Sequence, residues 1–202
     1  MGAVADVFKA YDIRGTVPDQ LDATMCRAIG AAMARFTGAP RILVGRDMRP
    51  SGIELAAAFS DGARAAGAAV VDVGLISTDC MFFASGTLDA PGAMFTASHN
   101  PAAYNGVKLC LAGARPIGRD TGLVEIGEMT KALMADPPAA GTLPPLEHRE
   151  ILDDFARHAR SFVDVGALRP LRVVADTANG MGGLVVPHVM AGLPFDVEVL
   201  YG

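Results

Sequence analysis

The sequence predicts an α/β fold: a mixed, largely parallel sheet sandwiched between helices, followed by the first βαβ of a second, similar domain. Three observations carry this expectation. Short apolar runs such as Ile42-Leu43-Val44, Ala69-Val70-Val71-Asp72-Val73 and Gly92-Ala93-Met94-Phe95 have the continuous hydrophobicity of strands buried on both faces. Stretches with helical periodicity alternate with them, and helical connections of this length join parallel neighbours. Most of the predicted strands end in polar, glycine- or proline-containing loops, where ligands sit in such sheets.

Taken in order, Val7 to Arg14 reads as a short strand entering a turn at Gly15. From Asp22 to Thr37, Met25, Ile29, Met33 and Phe36 share one helical face, with Asp22 as the cap and Gly38-Ala39-Pro40 as the stop. Ser51-Gly52-Ile53-Glu54 has the capping-box pattern and opens a helix ending near Gly67. Ser77 or Thr78 to Leu88 is a short helix, and Asp120 to Met134 another. Asp136 to Pro145 has linker composition, which divides the chain into residues 1–145 and 146–202. Leu146 to Val163 reads as a charged helix bridging the two units. Leu171 to Asp176 is a buried strand, 182–192 a helix and Phe195 to Leu200 a strand. That last unit is too small to bury a core and is expected to be incomplete at Gly202.

With 51% hydrophobic and 19% charged residues in 202, the chain is globular. A net charge of −5 argues against nucleic acid and anionic membranes as partners, and no apolar run has the length of a membrane span. The expected location is the cytoplasm. Gly2 does not signal myristoylation, because Asp6 stands where that pattern needs Ser or Thr. Cys26, Cys80 and Cys110 lack metal or redox spacing and read as buried, reduced thiols.

The chemistry concentrates at Thr96-Ala97-Ser98-His99-Asn100-Pro101, a polar loop between the apolar runs 92–95 and 107–111. Pro101 and the turn signal Asn105-Gly106 predict a rigid, exposed bend that presents Ser98, His99 and Asn100. A Ser-His hydrolase is disfavoured, since there is no Gly-x-Ser-x-Gly elbow or evident acid partner. Gly180-Met181-Gly182-Gly183 fails the dinucleotide spacing at Val185. His148, His158 and His188 show no metal-site spacing. The chain has three lysines against fourteen arginines, and Lys9 and Lys108 fall in polar segments, Lys108 on a predicted strand.

Four stretches together resemble the α-D-phosphohexomutases, most nearly the bacterial phosphomannomutase/phosphoglucomutase branch. They are Lys9-Ala10-Tyr11-Asp12-Ile13-Arg14-Gly15, Gly45-Arg46-Asp47-Met48-Arg49-Pro50-Ser51-Gly52, the Thr96–Pro101 loop with Tyr104-Asn105-Gly106-Val107-Lys108, and Asp176-Thr177-Ala178-Asn179-Gly180. The resemblance covers essentially the whole chain. It implies that Ser98 carries a phosphoryl group, gives it to a hexose 1- or 6-phosphate, and retrieves the other from the bisphosphate intermediate. Phosphoryl transfer rests on positioning and charge neutralisation.

The resemblance further implies Lys108 as general acid/base, Arg14 as a phosphate ligand and His99 beside the serine, with Tyr11 and Asn100 in the substrate- and phosphate-binding surroundings. It implies Mg²⁺ bound through the phosphoserine at Ser98, and glucose 1,6-bisphosphate as activator. The family's aspartate-rich metal loop, sugar-specificity loop and terminal phosphate-binding domain have no counterpart in these residues, so the chain alone is expected to be inactive. The missing carboxy-terminal domains are accordingly expected partners. Two alternatives stand beside this reading: a phosphoglucosamine mutase, and a short non-catalytic binding module. The sugar, whether mannose, glucose or glucosamine, is not specified by the shared serine loop.

Overall fold

A computed structural model describes residues 3–138 and 141–202. Gly2, read above for lipidation, and Ala139-Ala140 of the linker lie outside the described residues. Chain order is α1 (Val4–Val7), β1 (Ile13–Thr16), α2 (Ala23–Thr37), β2 (Arg41–Arg46), α3 (Ser51–Ala65), β3 (Ala69–Leu75), α4 (Thr78–Leu88), β4 (Gly92–Phe95), β5 (Tyr104–Leu111), β6 (Arg115–Pro116) and α5 (Leu123–Ala135). Then come β7 (Leu146–His148), α6 (Leu152–Arg160), β8 (Leu171–Asp176), α7 (Gly182–Met190) and β9 (Phe195–Leu200). The main sheet has the order β1-β5-β4-β2-β3-β7, with β6 paired to β5. Strands β4, β2, β3 and β7 are parallel, while β5 runs antiparallel to both β4 and β1.

Strand alternation divides the interior into two cores. Ile42, Val44, Phe95, Val107 and Leu109 face the side covered by α2, α3 and α5. Leu43, Val71, Val73 and Met94 face the side covered by α4 and α6. Phe95 is the last strand residue before the serine loop, and it packs edge-to-face on Phe59 of α3 with ring centroids 5.6 Å apart. The loop therefore leaves a strand end that is anchored in the core.

Several caps follow from single residues. The Asp22 side chain accepts the Met25 N–H, and Gly38 closes α2 in the left-handed conformation. Ser77 caps α4 by accepting the Cys80 N–H. The capping box expected at Ser51 does not form: Pro50 occupies the N-cap, and the Ser51 hydroxyl instead accepts a hydrogen bond from Asn105 Nδ2 at 2.9 Å. Its lone pair is used across the fold rather than locally.

Three further expectations are corrected. Val7 to Arg14 is not a strand, because α1 ends at Val7 and the Lys9 N–H closes a tight turn on the Asp12 carbonyl, leaving an isolated bridge from Phe8 to Ile13 and a strand over 13–16. Leu146 to Val163 is not one helix: Leu146–His148 adds a parallel strand beside β3, and the helix spans Leu152–Arg160. Strand β8 is not buried. Among the described residues it pairs only with β9, and Leu171 and Val174 remain exposed. Helix α6 joins the parts, through Phe155 and His158 against Phe83 of α4, and through Arg160, which donates to the carbonyls of His188 and Val189 at 3.0 Å.

Cys26, Cys80 and Cys110 are buried and free, as the sequence suggested. Burial pushes all three thiols up from their ordinary value of 9.0. Above that pH the unfolded chain releases protons that the folded chain retains, so stability is complete below it and falls as pH rises. Each thiol contributes a slope approaching about 1.4 kcal/mol per pH unit. Urea denaturation between pH 8 and 10.5 is expected to show this loss, and Cys26→Ala is expected to flatten it; parallel curves for the two proteins would contradict the assignment.

Candidate active site

The loop after β4 turns the chain back into β5 by its own hydrogen bonds. The Ser98 N–H donates to Thr96 Oγ1 at 3.0 Å. The Asn100 N–H and its side-chain Nδ2 both donate to the Ala97 carbonyl, at 3.0 and 2.8 Å. Ser98 takes a φ of 53°, in the left-handed region that non-glycine residues enter at an energetic cost. Ser98 and His99 are exposed while Thr96 and Ala97 are buried, so the hydroxyl stands on a short platform above the core. Asn100 is part of that platform: its amide is spent on the loop itself.

Asn105-Gly106 is not the turn expected from sequence. Both residues lie within β5, opposite Gly15 and Arg14 of β1, and residues 96–103 make the reversal. Ser98 and His99 also approach one another, with Oγ 3.3 Å from Nδ1, closer than adjacent residues on a loop suggested. Among the described residues no carboxylate bonds His99, so the third member of a hydrolytic triad is not found.

Beneath the loop lies a residue that the sequence reading left out of the site, Arg49. Its guanidinium donates to four loop carbonyls: Ser98 at 2.8 Å and Asn100 at 2.6 Å through Nη2, Pro101 at 2.9 Å and Tyr104 at 2.8 Å through Nη1. Arg49 is 8% exposed and pairs with Asp47, 4% exposed, whose Oδ2 is 3.5 Å from Nε and whose Oδ1 accepts the Arg49 N–H at 3.0 Å. Asp47 is tied in turn to the strand end, its N–H donating to the Phe95 carbonyl at 2.9 Å. The signal available beforehand was a pair of opposite charges two residues apart at the end of an apolar strand.

The other cations come from the β1–β5 pair. Arg14 lies opposite Gly106 and Lys108 is two residues further along β5, so both side chains leave the same face of the sheet. Asp12 carries an ion pair to Arg14 and a second to Lys108 Nζ at 3.6 Å. One carboxylate thus holds two cations. Arg14 Nε is buried with no hydrogen-bond partner, leaving this guanidinium with unused donor capacity.

Tyr11 is 81% exposed beside this cluster. Lys9 is not in it: it bonds the Asp6 carbonyl and lines an apolar hollow of about 660 Å³ between α1 and α5, together with Phe8, Leu123 and Lys131. A smaller cavity of about 260 Å³ opens at Ser98 itself. Asp47, Met94 and Thr96 line it, with Ser77 and Asp79 at the start of α4 and Gly180 and Met181 from the second unit. Gly180 follows Ala178 and Asn179, both left-handed, in the Asp176–Gly180 stretch singled out by sequence.

The family model described as "Phosphoglucomutase/phosphomannomutase, alpha/beta/alpha domain I" matches residues 5–134. A protein of Xanthomonas campestris pv. campestris named "Phosphohexose mutases" is 42% identical over 191 residues, covering 94% of this chain and 42% of its own length. The "Phosphomannomutase/phosphoglucomutase" of Pseudomonas aeruginosa is 35% identical over 201 residues, 98% of this chain and 42% of that protein. The crystal structure of a phosphoglucomutase/phosphomannomutase family protein from Burkholderia thailandensis superposes with a TM-score of 0.81 at 32% identity, covering 100% of this chain and 44% of that one. The chain thus spans less than half the length of the relatives it matches.

The Arg14–Lys108 arrangement depends on Gly106, where a Cβ would come within 2.2 Å of the Ile13 carbonyl oxygen. Gly106→Ala is expected to push β1 from β5 and destabilise the chain by about 1–3 kcal/mol. A denaturation midpoint unchanged from the parent would show that the strands are not in this close approach.

Proposed function

The chain belongs to the phosphoglucomutase/phosphomannomutase family, and on that premise we propose that it supplies the phosphoryl-carrying serine of a hexose-phosphate mutase. The observation that carries the proposal is the placement of Ser98: an exposed hydroxyl on a braced loop, beside a cavity, at the carboxyl end of the strand next to Lys108. In the proposed reaction the Oγ–P bond of phosphoserine breaks as a sugar hydroxyl oxygen forms its own bond to phosphorus. The hydroxyl proton passes to Lys108, which must enter this step as the neutral amine, and on to the departing Ser98 Oγ. In the second half the sugar, turned end for end, returns its other phosphoryl group to Ser98, whose proton passes back through Lys108 to the sugar oxygen that is released.

Arg14, whose side chain is partly exposed beside Lys108, holds a substrate phosphate in this scheme, while Asp12 keeps Arg14 and Lys108 side by side. His99 borders the reacting oxygen, and Tyr11 borders the sugar. Mannose or glucose 1- and 6-phosphates are the proposed substrates, with glucose 1,6-bisphosphate as the loading donor; the shared serine loop is equally compatible with a glucosamine phosphate. The division into residues 1–145 and 146–202 stays part of the proposal, with β7 as the strand that crosses it. So does a cytoplasmic location; no helix among the described residues is long and apolar enough to cross a membrane.

For Mg²⁺, the residues present do not fit a complete site: no group of three or more His, Cys, Asp or Glu among those described could hold a metal. Ser98 bearing a phosphoryl group would offer phosphoryl oxygens alone.

Two outcomes test the reading. Incubation with glucose 1,6-bisphosphate is expected to add ~80 Da to the peptide containing Ser98, and Ser98→Ala to abolish the gain; a gain that survives the substitution places the carrier elsewhere. In a coupled assay the 202 residues alone are expected to give no mutase turnover, so turnover would show that the groups needed for the whole cycle are already here.

A further inference from the structure

Arg49 touches no part of the cavity that Ser98 opens onto, yet it makes more hydrogen bonds to the serine loop than any loop residue makes. Four carbonyl oxygens converge on two guanidinium nitrogens, and the four residues concerned, Ser98, Asn100, Pro101 and Tyr104, span the whole reversal from β4 to β5. The remaining nitrogen, Nε, faces the buried Asp47 carboxylate. A planar fork is required for this: a lysine presents three donors from a single atom and cannot reach carbonyls arranged along two edges.

We propose that Arg49 is a positioning residue for phosphoryl transfer at Ser98, acting through the backbone of the loop. The proposal rests on the reading of Ser98 as the carrier. Two consequences follow from the geometry. The four hydrogen bonds hold Ser98 at its left-handed φ, so the hydroxyl occupies one place relative to Lys108 and Arg14. They also draw the carbonyl dipoles down into the core, so that the loop's electronegative atoms point at Arg49 rather than at an incoming phosphoryl group. Asp47 completes the device by seating the guanidinium against the end of β4.

Arg49→Lys separates this role from a general contribution to folding. Two measurements on the chain are needed. Amide hydrogen exchange is expected to accelerate by about tenfold or more across residues 96–104 while β2 and β3 keep their protection. The maximal rate of Ser98 loading from glucose 1,6-bisphosphate is expected to fall by about 100-fold, as misplacement of a reacting group by an ångström does. The half-saturating donor concentration should stay unchanged, because Arg49 makes no contact with the donor.

Unchanged exchange in 96–104 overturns the proposal, and so does faster exchange with an unchanged maximal loading rate. If Arg49→Lys does not fold, Asp47→Asn removes the seat of the guanidinium and is judged by exchange across 96–104 alone, since Asp47 itself lines the Ser98 cavity. Should the unsubstituted chain accept no phosphoryl group at Ser98, the carrier reading fails on its own, and exchange alone decides whether Arg49 fixes the loop.

Discussion

The two-residue alternation of β5 is the constraint on which the site depends. Val107 and Leu109 enter the core beneath α2, α3 and α5, which obliges Lys108 between them to leave by the opposite face. The same parity, carried across the antiparallel pairing with β1, buries Ile13 and turns Arg14 out beside Lys108. A slip of one residue would bury two cations and expose three apolar side chains, at a cost of several kcal/mol for each buried unpaired charge. The face that carries Arg14 and Lys108 is therefore specified by hydrophobic burial on the other face.

The loop is specified differently, by a buried charge. Removing Arg49 and Asp47 from water costs several kcal/mol per ion. Against this stand four hydrogen bonds from a charged donor, each worth about 1.5–3 kcal/mol, together with the attraction of the pair at 3.5 Å. The terms are of similar size, so the cluster is close to neutral for stability. What it provides is a single loop geometry. Among interchangeable ways of filling that space with apolar side chains, none would order four carbonyls.

The strands, the main helices and the serine loop were legible in the sequence because each has a local signature: apolar runs, helical periodicity, an Asp or Ser cap, a proline after a polar turn. Several of the differences share one cause: a distant partner outweighs a local preference. Asn105-Gly106 is a strong turn dipeptide, but here Asn105 reaches Ser51 on α3 and Gly106 admits the Ile13 carbonyl, and the pair lies in a strand. Ser51 lost its cap to the same bond. Leu146–His148 was read as helix because nothing local marks a three-residue edge strand that pairs with β3. Arg49 stands within a motif, but no spacing rule reveals that its side chain gathers carbonyls about fifty positions away. Asp12 was missed for the same reason: its two partners come from different strands.

Charge balance at Ser98 shows what the site still needs. Arg14 and Lys108 share the single carboxylate of Asp12, and Arg49 is matched by Asp47. Asp79 lines the Ser98 cavity as well, so the surplus positive charge on the Asp12 cluster is offset and the nearby groups sum to about zero. A phosphoserine brings roughly −1.5 to −2, a reversal from neutral to negative. In water that reversal would be screened, but on a loop braced against a low-dielectric core each unit of uncompensated charge is felt more strongly. A substrate carrying a second phosphate makes the imbalance worse rather than better. The proposed cycle, which at its midpoint places a bisphosphate against these residues, therefore demands at least one further cation close to Ser98. Arg14 and Lys108 already stand in the balance, so that cation has to come from outside the Asp12 and Asp47 clusters.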